Sequence, residues 1–492
     1  METERLKGLS KSYISDTTNL LETAAGTTEY ENTFVYSAKS NNSTNIKMHK
    51  RSIFVVSFTL LGCMMGAQIF TMPYATIEAG LWLSLIINLY NCICGIISCY
   101  LLLEAKKMSG ENTCAKIGYY WFGRKSIFLI WAMIGIPGLL QSVAFFSIFS
   151  DLSSKMLRNA NILSHNFFGS NCFATIILAL LLFYLILKKQ IADLKYPSFM
   201  HFGGLLLLLS FFLIKLAEGE GKGIGEHQIA IMNWDLKFLS STPIFLLSFG
   251  SQMSFLPTVN TSKKKNTRNG LKVAIYTFSA CFLIYFSIAI VSIFLYSADL
   301  NENILDNVQN HTGILSIMVL LMFLITSAIH IPFVFFIGKD NMLVIFDELM
   351  RGTYSAKNER RMSLKENNIN DLVTTSSFSE IENSYLSMNP LYYYIITITL
   401  YVIVIVLSLT MRRLMLILNI IGANASTFSI YLFPAAFYLK WYFISKKKSE
   451  EVSFVYLPNS KIPLILSWIF LFKGLFLLVL LNFVIFYPEV NQ

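Results

Sequence analysis

Apolar residues in this chain gather in long runs separated by short polar stretches, with no strict alternation. Eleven runs can be marked, at about residues 52–77, 81–104, 126–149, 171–188, 199–217, 241–260, 271–297, 313–337, 391–410, 414–443 and 462–487. A spanning helix needs about 20 apolar residues, and each run is of that order. Transmembrane strands would alternate with a period of two, which these runs do not. The pattern predicts an all-α polytopic membrane protein with about eleven transmembrane helices over residues 51–487. Residues 1–50 are rich in Ser, Thr and Asn and lack the apolar core of a cleavable signal peptide, so they are expected to form a disordered cytoplasmic tail. A Gly-rich outer loop is expected at 218–240, a cytoplasmic loop at about 340–389, and a short external tail at 488–492.

Composition agrees: 54% of residues are hydrophobic and 14% are charged, against about 25% charged in soluble domains. The net charge of +10 could suggest a nucleic-acid partner, but its distribution argues otherwise. With the amino terminus inside, 31 of the 39 Lys and Arg fall on inner segments, seven fall on outer ones, and Lys473 lies within the last run. That asymmetry is the positive-inside pattern. It predicts a cytoplasmic amino terminus, an external carboxyl terminus and a lipid bilayer as partner, with no nucleic acid. Lys215 and Lys473 are expected to snorkel. The seven cysteines form no disulfide framework. Asn310-His311-Thr312 is a glycosylation sequon on an outer loop, and Arg360-Arg361-Met362-Ser363 is a basophilic phosphorylation pattern in the 340–389 linker.

No nucleotide-binding P-loop, HExxH pair, Cys-pair metal spacing or GxSxG elbow is present, so an enzyme is not expected, nor a metal or other cofactor. The unusual chemistry lies in two runs that contain their own helix breakers. The first holds Gly62-Cys63-Met64-Met65-Gly66-Ala67-Gln68, then Met72-Pro73-Tyr74 and Glu78-Ala79-Gly80. The sixth holds Thr242-Pro243, Ser248-Phe249-Gly250-Ser251-Gln252-Met253 and Leu256-Pro257. Backbone groups freed at membrane depth are tolerated only where they line a cavity, and secondary transporters place such breaks at matching points of two inverted halves. Breaks five helices apart are what an inverted 5+5 repeat requires. A Gly62-xxx-Gly66 packing contact with proline kinks is the plainer alternative for either run alone.

The run Gly66 to Ala75 (Gly-Ala-Gln-Ile-Phe-Thr-Met-Pro-Tyr-Ala) resembles the first-helix signature of the amino acid/auxin permease family. Thr242 to Thr258 resembles its sixth helix, His330 to Lys339 the end of its eighth, and Leu418 to Thr427 with Phe433-Pro434 its tenth. The resemblance implies a LeuT-like fold, an inverted 5+5 repeat plus one extra helix, and ion-coupled amino acid transport by alternating access. It places Gly66, Ala67, Gln68 and Ile69, facing Ser248, Gly250, Ser251 and Gln252, around an amino acid. Neutral pocket groups favour a neutral amino acid, since a zwitterion can meet opposed half-helix ends without a buried side-chain charge.

Two departures stand out. Gln68 replaces the signature's second Gly and narrows the site. Where sodium-coupled members supply oxygen ligands, the aligned residues are Gly62 and His330, so the coupling ion, H+ or Na+, is expected to be the proton, with His330 as titrating group. Glu78 is expected to face water or cap the next helix. A transporter-like amino acid sensor, signalling through the tail or the 340–389 loop, is the alternative of another class. The host membrane is expected to be a plasma membrane or a vacuolar or lysosomal one, and nothing in the pattern specifies an oligomeric state.

Overall fold

The computed structural model describes residues 51–159, 170–189, 195–221, 236–263, 266–311, 313–366, 384–451 and 461–486. The expected tails at 1–50 and 488–492, and most of the Gly-rich loop, lie outside the described residues. Eight described helices are long and apolar enough to cross a membrane, and two shorter apolar helices, Ile53–Met64 and Asn171–Leu187, stand beside them.

The first span is split into α1 (Ile53–Met64), a 3-10 turn (Ala67–Phe70) and α2 (Met72–Ala79). Then come α3 (Leu81–Ser109), the short α4 (Cys114–Phe122), α5 (Lys125–Asn159), α6 (Asn171–Leu187) and α7 (Lys195–Ala217). The sixth span is split into α8 (Leu236–Leu247) and α9 (Gln252–Val259). After it follow α10 (Thr267–Tyr296), the small α11 (Ile304–Gln309), α12 (Ile314–Arg351), α13 (Thr353–Glu366) and α14 (Pro390–Thr410). The tenth span joins α15 (Leu414–Ile421) through two π-helical stretches, Gly422–Ser426 and Phe428–Leu432, to α16 (Phe433–Glu451), and α17 (Ile462–Phe486) closes the chain. Polar side chains set many starts: Ser52, Thr113, Ser170 and Asn266 accept N-terminal amides of α1, α4, α6 and α10.

The helices sort into two packed groups. In one, α1 packs on α9 and α10, α2 packs on α8, and α10 packs on α3. In the other, α5, α6, α12 and α14 pack on one another, and α5 against α12 is the most extensive helix contact. That crossing is close because it passes through glycine: a Cβ at Gly138 would sit 2.7 Å from the Gly338 nitrogen. Helix association in lipid relies on such dispersion contacts, since lipid supplies no hydrophobic drive between helices.

Three expectations need correction. The loop expected from residue 340 is helical through Arg351 and again over Thr353–Glu366. Asp340, Asn341, Asp347 and Glu348 end the apolar run yet are buried, with Glu348 bonded to Arg124 at 2.7 Å and Asp347 to Arg351. Ser363 is exposed on α13, part of a helix and not of an irregular linker. Lys473 does not snorkel: its Nζ donates to the Tyr431 hydroxyl at 3.0 Å and lies 3.7 Å from the Tyr90 ring centroid, joining α17 to the π-helical stretch and to α3. Lys215, at the end of α7, pairs with Glu218 at 2.7 Å and Glu220 at 2.8 Å. Asn310 is exposed after α11, while Thr312 of its sequon lies outside the described residues.

Candidate functional site

The first break is built from backbone that leaves the helix. After Met64 the chain is extended at Met65 (φ −74°, ψ 114°) and Gly66 (φ −142°, ψ −162°), makes one 3-10 turn, and re-enters a helix at Met72-Pro73. Proline fits that first turn, where its missing N–H would have had no intrahelical partner. Gln68 turns back over the gap: its Nε2 donates to the Met64 carbonyl at 2.7 Å and lies 3.0 Å from the Tyr285 hydroxyl. Tyr285 itself donates to the same carbonyl at 3.0 Å. A carbonyl freed by the break is thereby satisfied from two sides.

At the second break α8 stops at Leu247 and α9 begins at Gln252. Between them Gly250 N–H donates to Leu247 O and Ser251 N–H to Phe249 O, both at 3.1 Å. Gly250 admits the tenth span, because a Cβ there would lie 2.6 Å from Ser426 Oγ.

Both breaks open on one cavity of about 320 Å³ between the two helix groups, at the small end of ligand pockets. One wall is Gly62 to Gly66 with Gln68, a second is Gly250, Ser251, Met253 and Ser254, a third is Pro137, Gly138 and Gln141 of α5, and a fourth is His330, Phe333, Val334 and Ile337 of α12. Ala425, Ser426 and Ser429 of the π-helical stretches complete it. It extends toward Arg51, Pro257 and Thr261, where the starts of the first span and end of the sixth are tied by Arg51 N–H to Thr261 O at 3.1 Å. At the opposite end the half-buried Glu78 of α2 accepts a hydrogen bond from Ser241 of α8.

The sequence-derived residues divide here. Gly62, Gly66, Gln68, Gly250, Ser251 and His330 lie on the cavity wall. Ala67, Ile69, Ser248 and Gln252 are fully buried and do not line it. The reason is local: Ser248 Oγ donates back to Ile244 O at 3.0 Å, and Gln252 Nε2 to Phe249 O at 3.0 Å, so both side chains serve their own helix turns. Gln68 and Ser251 each keep one buried polar atom, Oε1 and Oγ, without a hydrogen-bond partner among the described residues. Gln68 Oε1 and Gln141 Nε2 flank Gly66, each 2.6 Å from where a Cβ would stand. His330 stacks on Phe145 at 5.2 Å between centroids, with Nδ1 2.9 Å from Thr326 O.

Gln141, Ser254, Ser426 and Ser429 escaped the sequence reading. Gln141 is the one detectable by pattern, an amide inside an apolar run beside Pro137-Gly138. Among the described residues the cavity wall carries no Asp or Glu, and its one Lys or Arg is Arg51, at the far mouth.

The family model described as transmembrane amino acid transporter protein matches residues 49–485. Amino acid transporter AVT1J of Arabidopsis thaliana is 26% identical over 251 residues, 50% of this chain and 58% of that protein, so the match spans little more than half the relative's length. Among solved structures, that of MhsT in complex with L-phenylalanine superposes with a TM-score of 0.50 at 13% identity, covering 88% of this chain and 98% of the other. That likeness shows the fold, a LeuT-like transporter architecture.

Proposed function

Because this chain belongs to the transmembrane amino acid transporter family, we propose that it is a secondary active transporter of neutral amino acids, working by alternating access and coupled to protons. The observation that carries this reading is the convergence of two broken helices on one small cavity whose walls hold no carboxylate among the described residues. A zwitterion brings both charges with it. Its carboxylate suits the amide-bearing start of α9, and its ammonium group suits oxygen acceptors such as Gln68 Oε1. Among the described residues a cationic side chain would find no acid on these walls, and an acidic one would find only Arg51 at the mouth.

The mechanism follows from the two helix groups. Halves α1 with α9, and α2 with α8, pack as units. Rocking them against α5, α6, α12 and α14 opens one end of the cavity as it closes the other. In this conformation the Glu78–Ser241 contact closes one end and the cavity reaches toward Arg51 and Thr261. The charge asymmetry supports a cytoplasmic orientation for that open end. Proton coupling is favoured over sodium because Gly62 and His330 offer a hard cation no side-chain oxygen, whereas an imidazole on the wall can take a proton from the cavity.

The test is uptake of a panel of labelled amino acids into proteoliposomes, with a pH gradient or a sodium gradient imposed singly. Neutral amino acids should accumulate under an acid-outside gradient without sodium. Flux that needs only sodium would overturn the proton assignment. Stabilisation by an amino acid in detergent with no flux at all would mark a sensor instead.

A further inference from the structure

Behind the cavity wall lies a second histidine with no assigned role. His201 of α7 is 2% exposed, and neither ring nitrogen has a hydrogen-bond partner among the described residues. Its ring centroid is 5.2 Å from that of His330, at 60°. Phenyl rings flank the pair: Phe70 and Phe323 lie 6.2 and 6.3 Å from His201, and Phe145 stacks on His330. A buried polar group without a partner costs about 1–3 kcal/mol, and packing alone would be served at no such cost by a phenyl or aliphatic side chain.

The His330 tautomer is set by its neighbour. A carbonyl oxygen only accepts, so His330 Nδ1 carries hydrogen toward Thr326 O, which leaves Nε2 as the basic atom. The helices packed against α7 are α1, α10 and α12, and no ion pair reaches either ring among the described residues. Cys63 of α1 lines the cavity. On α10, Cys281 bonds the Ser248 carbonyl and Tyr285 the Met64 carbonyl. Lys339 and Asp340 lie beyond two helical turns farther along α12.

We infer that His201 and His330 together form a one-proton site. His330 takes a proton from the cavity at Nε2, and rotation of the rings lets His201 accept it through a ring nitrogen, leaving His330 neutral. Two imidazolium rings at this separation would repel in an apolar shell, so the pair holds a single proton. Phe70 links that charge to the substrate site: it belongs to the 3-10 turn that follows Gly66 and touches both His201 and, at 4.9 Å, Phe323. This inference rests on the proton-coupled reading above.

Proteoliposomes bearing full-length wild type, His201→Phe or His201→Gln separate the possibilities. The readout is the ratio of acid-gradient-driven uptake to gradient-free exchange of the same labelled neutral amino acid, with the pH profile of exchange beside it. Both variants should lower that ratio about tenfold or more and flatten the pH profile. His201→Phe suits the phenyl shell, and His201→Gln keeps a polar group should the first fail to fold. An unchanged ratio in a folded variant, or loss of exchange and driven uptake in equal measure, would overturn the assignment to His201. Wild-type exchange indifferent to a pH gradient would instead remove the proton-coupled reading, and the paired site with it.

Discussion

Gln68 reaches back four residues to hold the Met64 carbonyl at 2.7 Å, across the break that this carbonyl's own helix leaves open. The side chain that the sequence marks as an obstruction is thus also a cap. Tyr285 shares the task at 3.0 Å, so Tyr285→Phe leaves the carbonyl one partner fewer. That change should cost about 1 kcal/mol and Gln68→Leu about 1–3 kcal/mol, read as a lowered midpoint of thermal unfolding in detergent. Gln68→Gly should instead widen the range of amino acids accepted, checked by competition for uptake.

Closure at the Glu78 end depends on a contact that is polar and small. Ser241→Ala removes one donor to Glu78 and, at about 1 kcal/mol, should raise exposure of the cavity from that end about fivefold. Impermeant thiol labelling of Ser254→Cys in a Cys63→Ala background, from each side of the membrane, reads the change. Labelling from the Arg51 side should fall as labelling from the Glu78 side rises.

A pH effect is expected outside the spans. Lys155 bridges Asp151 at 2.6 Å and Asp306 of α11 at 2.8 Å. Burial holds the Asp306 carboxyl above its ordinary value, offset by Lys155 and reinforced by Asp151. Because the folded state keeps its proton longer than the unfolded one, the stability contributed by Asp306 falls as pH rises from the ordinary carboxylate value through the raised one. Lys155→Met removes the offset and extends that fall. The variant should match wild type in acid and lose about 1 kcal/mol near neutrality, a discounted figure for a partly exposed pair, measured as unfolding midpoint against pH.

Gly422 admits no side chain, because a Cβ there would meet the Pro243 carbonyl of α8. The obstacle is backbone on both sides, so Gly422→Ala must separate the tenth span from the sixth. A loss of about 3 kcal/mol or more is expected, seen as a lowered unfolding midpoint or as loss of monodisperse protein.

The spans and both breaks are legible in the sequence because lipid demands apolar length and because Gly66 and Gly250, set among small and polar residues, interrupt it. Side-chain direction is not. Ser248 and Gln252 sit in the same motif as Ser251 yet bond their own turns, and periodicity does not distinguish the three. Polar residues away from the two breaks, such as Gln141 and Ser426, reach the cavity through tertiary placement alone. The end of α12 was hidden for the opposite reason: Asp347 and Glu348 are charged, which stops a hydropathy run, but Arg351 and Arg124 pair with them and the helix continues. His201 gave no local signal, since its meaning comes from a ring 129 positions away.

The most direct test of the central claim is counterflow of a labelled neutral amino acid in proteoliposomes bearing wild type or Gly66→Leu. A Cβ at this position first meets the flexible ends of Gln68 and Gln141, so the variant should insert and remain monodisperse while filling the space between the two breaks. Exchange by wild type with none by Gly66→Leu is the predicted result; normal exchange by Gly66→Leu would contradict the placement of the substrate at this site.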